Sequence, residues 1–225
     1  MSLFGKLFRA GSDNPADSER AKELFNNGVA ASLDAAELLS SGDVEKARGQ
    51  SRHAIDQFRM ALKMVPKSST FAGALGHELY VCAAAFGEGD FAEAQEFLLK
   101  AVQSEPDNVA FLCELGLCRA NQGDLPGAQE DFQRVLELNN SRETREHIAT
   151  AMADIGQRAF DHGTKLQSEG QEQQGRSYKT FAIGASMLAY RTHNIRRDLA
   201  RQVSVFARDI GDAKTADEYA AIASG

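Results

Sequence analysis

The stretch LGHELYVCAAAFGEGDFAEAQEFLLKAVQSEPDN (75–108) runs directly into VAFLCELGLCRANQGDLPGAQEDFQRVLELNNSR (109–142). The two windows are each 34 residues long and align without a gap. Gly89-Asp90-Phe91 falls on Gly123-Asp124-Leu125, and Ala94, Leu98, Ala101 and Pro106 fall on Ala128, Phe132, Val135 and Asn140. Apolar residues spaced by three and four positions make one stripe along a helix. Between the stripes stands a breaker: glycine past a helix end takes the left-handed conformation without a β-carbon clash. The aspartate after it caps the next helix by accepting a bond from a free amide. Each window therefore reads as helix, tight turn, helix.

Working outward, the Gly-Asp pair also occurs at Gly42-Asp43 and Gly211-Asp212. Glu93, three residues after Asp90, has the spacing of a capping box. A first hairpin is expected with one helix over 18–41 and a second after Asp43. Its signature Ala54-Phe58-Ala61-Pro66 arrives seven residues late. Seven residues are about two helical turns, so the apolar face is kept while the helix lengthens. A fourth hairpin repeats this: Gly163 is its small contact residue, Gly170 its turn, and Ala182, Ala189 and Asn194 follow Ala54, Ala61 and Pro66 by 128 residues. The order is long, short, short, long. A fifth, short hairpin over 196–223 carries Ala200, Ala207, Ala216 and Ala220 and suits a terminal cap.

A period of 34 with these residues at these offsets resembles the tetratricopeptide repeat (TPR) family. The resemblance covers about 19–223, with Glu78 standing where the family has a large apolar residue and Arg119 where an aromatic is common. It implies an all-α fold, a right-handed α-solenoid of about five antiparallel helix hairpins, made of residues 15–225 behind a flexible amphipathic tail at 1–14. It also implies a protein that holds a partner segment along the first helices of its hairpins. Carried onto this sequence, the ligand-facing positions are Val29, Ser32, Ala36 and Leu39, then Leu79, Ala83 and Phe86, then Cys113, Leu117 and Asn121. Phe160 and Thr164 follow in the fourth hairpin, and Arg201 and Arg208 in the fifth. These are mostly apolar or small, which suits an amphipathic helix or an extended apolar segment. The family's carboxylate-gripping subclass needs Lys, Asn and Arg where this chain has Leu79, Cys113 and Leu117, so that mode is rejected. The alternative for these leucines and phenylalanines is plain core packing.

Composition narrows the classes further. With 43% hydrophobic and 25% charged residues the chain is an ordinary folded protein, and a net charge of −7 argues against general binding to nucleic acid or anionic membranes. No apolar run approaches the ~20 residues of a membrane span. Three cysteines without a CxxC pair fit a reduced, cytoplasmic setting. Between 173 and 208 lie seven Lys/Arg against one acid, Asp198. Arg197, Arg201 and Arg208 form one helical stripe, and with Arg191 they make a basic patch. It is either an electropositive site for an acidic partner segment or a solvated face. Leu3, Phe4, Leu7 and Phe8 share a face of the N-terminal segment, with Lys6 and Arg9 opposite. That segment is a tail, a docking element, or a weak peripheral membrane anchor. No Walker loop, GxSxG or HExxH motif occurs, and the five histidines are scattered. No catalysis, cofactor or metal is expected. The function expected is that of a protein-binding scaffold; the rival readings are a membrane-peripheral assembly factor and a self-assembling structural protein.

Overall fold

A computed structural model describes residues 15–224 of the chain. The described part holds ten α-helices, one π-helical turn and no strand. In chain order they are α1 (Pro15–Ser40), α2 (Val44–Met64), α3 (Ser69–Val81), the π-turn (Cys82–Phe86), α4 (Phe91–Ser104) and α5 (Val109–Asn121). Then come α6 (Leu125–Leu138), α7 (Arg142–Ser168), α8 (Glu172–Thr192), α9 (Arg197–Asp209) and α10 (Ala213–Ser224). The expected order of lengths holds: α1 and α2 have 26 and 21 residues, α7 and α8 have 27 and 21, and the helices between have 13 or 14. The segment 1–14, with Leu3, Phe4, Leu7 and Phe8, lies outside the described residues.

The turns repeat one geometry. Gly42, Gly123, Gly170 and Gly211 have φ of 86°, 90°, 83° and 83°. In each, the amide after the glycine bonds to a carbonyl five residues back at 2.9 Å: Asp43 to Leu38, Asp124 to Arg119, Gln171 to Leu166 and Asp212 to Ala207. This is the Schellman closure, which satisfies carbonyls at a helix end. Asp43, Asp124 and Asp212 then accept the amides of Lys46, Gly127 and Thr215, as a cap should. The second hairpin departs from the pattern. Its first helix ends in the π-turn, closed by the Glu88 amide on the Cys82 carbonyl at 3.2 Å, before Gly89 at φ 90° and the cap Asp90 lead into α4. The capping box does not form there. Asp90 caps the Ala92 amide, and the Glu93 carboxylate instead takes Arg59 at 2.6 Å.

The described chain divides into two compact units between Cys118 and Arg119. In the first, Phe25 stacks on Phe71 at 4.9 Å and tilts against Phe58 at 5.5 Å, over buried Ala54, Ala61, Leu75, Ala94 and Leu98. The late signature of α2 is thus core. Gly28 lets α1 approach α2, since a β-carbon there would meet the Phe58 ring at 2.6 Å. Gly76 does the same for α3 on α4, at 3.1 Å from the Ala94 carbonyl oxygen.

In the second unit, Phe160 stacks on Phe206 at 4.1 Å and Tyr190 meets Tyr219 edge-on at 5.6 Å, around Ala182, Ala200, Val203, Ala207 and Ala216. Gly163 is the contact residue expected: a β-carbon there would stand 2.6 Å from the Gly175 carbonyl oxygen. Arg119, where the repeat commonly has an aromatic, holds the buried Asp131 at 2.8 Å to each oxygen. Burial pushes the Asp131 carboxyl up to about 6, against the opposing pull of Arg119.

Candidate functional site

The first unit carries an apolar pocket at the C-terminal half of α1. Ser32, Ala35, Ala36, Leu39 and Ser40 of α1 line it, with Ser51 of α2, His77, Glu78 and Val81 of α3, and Phe86 at the end of the π-turn. Its volume is about 420 Å³. A second hollow of about 130 Å³, lined by Val29, Ser32, Leu33, Ala36 and His77, lies along the same side of α1. Leu33 is 57% exposed beside it, with Leu39 also exposed. A π-turn widens the helix by one residue, and such turns recur at functional sites. Here it ends in Phe86, whose ring lies 5.9 Å from the Arg48 guanidinium.

The polar groups of the pocket are unusual for an apolar hollow. Glu78 is 1% exposed. Its Oε2 accepts the Ser32 hydroxyl at 2.5 Å, while its buried Oε1 has no hydrogen-bond partner. The neighbouring His77 shares a proton with Glu114 across 2.6 Å. Burial alone would lower the His77 pKa; the Glu114 carboxylate, with a further contribution from Glu78, holds it up to about 9. Cys82 stands beside Ser51, and burial raises its thiol to about 11, with Glu78 adding to the shift. A thiol held neutral in this way is a poor nucleophile. Cys113 and Cys118 are buried too, and burial raises Cys113 to about 12.

The site residues expected from the sequence fall into two groups. Val29, Ser32, Ala36, Leu39 and Phe86 line the two hollows. Leu79, Ala83, Cys113 and Leu117 do not present a ligand surface: all four are buried, Leu117 at 2%. Their helices turn these positions inward, and an apolar side chain gains more from the interior than from waiting for a partner. Asn121 accepts Arg158 at 3.1 Å. Phe160 packs between Phe206 and Lys179, whose ammonium lies 4.9 Å from its ring and 2.6 Å from Asp209. Thr164 is exposed and bonds the Phe160 carbonyl.

On α3 the facing residues are instead His77, Glu78 and Val81. The signal for them was present in Glu78, an acid at a position where the repeat has an apolar residue.

The basic patch is partly engaged. Arg191 lines a hollow of about 370 Å³ with Leu125, Gln129 and Met187. Arg208 is exposed and 3.9 Å from Asp217. Arg197 and Arg201 are exposed, with no ion pair among the described residues. Among those residues no helix is long and apolar enough to cross a membrane.

Comparison with known proteins agrees with the helical-hairpin fold. Residues 84–143 match the family model of the tetratricopeptide repeat. A human protein, tetratricopeptide repeat protein 34, is 27% identical over 128 residues, which are 56% of this chain and 23% of that protein. The chain thus spans about a quarter of the length of that curated relative. Two solved structures, MamA MSR-1 C2 and the MamA RS-1 ArsTM double mutant, each give a TM-score of 0.50. They are 15% and 14% identical, covering 94% and 92% of this chain and 96% and 93% of theirs. At such identities the likeness is one of fold.

Proposed function

We propose that this tetratricopeptide-repeat chain is a non-catalytic scaffold that docks a polypeptide segment on the side of α1 and α3. Proteins of this repeat class are in general protein-interaction scaffolds. The observation that carries the reading is the open apolar surface of the first unit. Ala36, Leu39, Val81 and Phe86 surround the hollow, and Leu33 stands exposed next to it. An exposed apolar patch of this kind marks an interaction site more often than a bare surface. Small residues at Ala35 and Ala36 leave room for the backbone or side chains of a docked helix or strand.

The test is a photo-cross-linking amino acid placed at Ala36, at Leu39 and, as a control, at the exposed Lys63 in the last turn of α2. A polypeptide is expected to be cross-linked from position 36 and not from 63. Ala36→Arg, which fills the hollow, should lower the yield at Leu39 by about tenfold. Equal yields from 36 and 63, or yield at 39 unaffected by Ala36→Arg, refute the docking face. Light scattering on the same samples separates a foreign segment from a second copy of the chain.

A further inference from the structure

We propose that the 420 Å³ pocket between α1 and α3 is a subsite for a primary ammonium group on an unbranched apolar stem, the side chain of a lysine in the docked segment, with Glu78 as its counter-ion. This rests on the reading of that side as the docking face.

The charges around the pocket leave one carboxylate over. His77 is the cation between two acids, bonded to Glu114 at 2.6 Å and felt by Glu78. At the Phe86 end, Arg52 grips Glu88 at 2.6 and 2.9 Å, and Arg48 lies between Glu45 and Glu88. Two arginines meet two glutamates there, so that end is balanced. Glu78 is left buried, with one oxygen satisfied only by Ser32 and the other by nothing. A buried carboxylate oxygen without a donor is costly, so a ligand that brings one has a large differential gain.

Geometry selects the kind of donor. A guanidinium prefers to fork across both oxygens of a carboxylate. Here Oε2 is already taken by Ser32 at 2.5 Å, which leaves a single-point site. A compact ammonium suits a single point, and Ser51 adds a hydroxyl to the lining of the same pocket. One free oxygen supplies too few ligands for a divalent cation, which takes six or more. The walls, Ala35, Ala36, Leu39, Val81 and Phe86, are apolar, and a lysine stem buries its methylenes along such surface while its head keeps a polar contact.

The experiment uses the full chain and n-pentylammonium as the probe, followed by amide NMR. Saturable shifts are expected at Ser32, Ala36, Glu78, Val81 and Phe86. 1-Pentanol and pentanoate should bind at least about tenfold more weakly, as should pentylammonium to Glu78→Gln. Ser32→Ala frees the second oxygen and should admit n-butylguanidinium, which the wild type excludes. This variant keeps the proposal testable if Glu78→Gln fails to fold.

The proposal is overturned if pentanol binds as well as pentylammonium. It also falls if Glu78→Gln binds as the wild type does, or if the wild type shows no saturable shift, which would leave water alone on Glu78. Retained cross-linking at position 36 with no response to pentylammonium sinks this inference alone; lost cross-linking sinks the docking face itself.

Discussion

At the scale of single residues, the His77–Glu114 pair makes stability depend on pH. The folded-state pKa of His77 is about 9, above its ordinary value of 6.5. The folded chain therefore holds the proton more tightly than the unfolded one. The pair's contribution is complete below about pH 6.5 and is lost as pH rises through about 9. A shift of this size corresponds to roughly 1–3 kcal/mol once partial exposure of the pair is allowed for. Denaturant melts at pH 6 and pH 9.5 should show the loss in the wild type, and Glu114→Gln should flatten it. Equal slopes in both proteins would contradict the assignment.

Two glycines give predictions of opposite sign. Gly163→Ala drives a β-carbon to within 2.6 Å of a backbone oxygen and should cost about 1–3 kcal/mol. Gly49, within α2, has nothing within 4 Å of the added carbon, so Gly49→Ala should stabilise by up to about 1 kcal/mol. Thermal melting of the two variants tests both.

At the scale of elements, the helix caps carry the clearest expectation. Asp43→Ala removes the side chain that takes the Lys46 amide at the start of α2 and should lower the thermal midpoint measurably. Glu93→Gln should cost less than about 1 kcal/mol, because its carboxylate meets only the exposed Arg59 and not the helix end. Were Glu93 closing a capping box, the two losses would be alike. Helix order, relative lengths and four of the five turns were legible in the sequence because each depends on local chemistry: glycine for positive φ, aspartate for the free amide, small residues for close contact. The π-turn was not legible. The window around it aligns without a gap, and one residue of widening is set by how Cys82–Phe86 packs rather than by residue type. The hollows were legible in part for a related reason. Val29, Ser32, Ala36 and Leu39 of the long, half-exposed α1 line them. On α3 and α5, apolar Leu79, Cys113 and Leu117 looked the same whether buried or displayed, and burial decided against them.

At the scale of the whole molecule, the proposed docking has two candidate surfaces. One is the apolar pocket with its single buried carboxylate; the other is the stripe of Arg197, Arg201 and Arg208 on α9. Their physics differs in one measurable respect. Exposed charges attract through solvent, and salt screens them: the Debye length falls from about 10 Å at ~0.1 M to about 3 Å at ~1 M. Apolar burial is not weakened by salt, and a contact to a carboxylate that is 1% exposed is screened far less than one at the surface. If the pocket is the docking site, cross-linking yield from position 36 should change by less than about threefold between ~0.05 and ~0.5 M salt. Arg197→Glu with Arg201→Glu should leave it unaltered. A drop of more than about tenfold across that range, together with loss of capture in the double variant, would move the docking surface to α9 and make an acidic segment its partner.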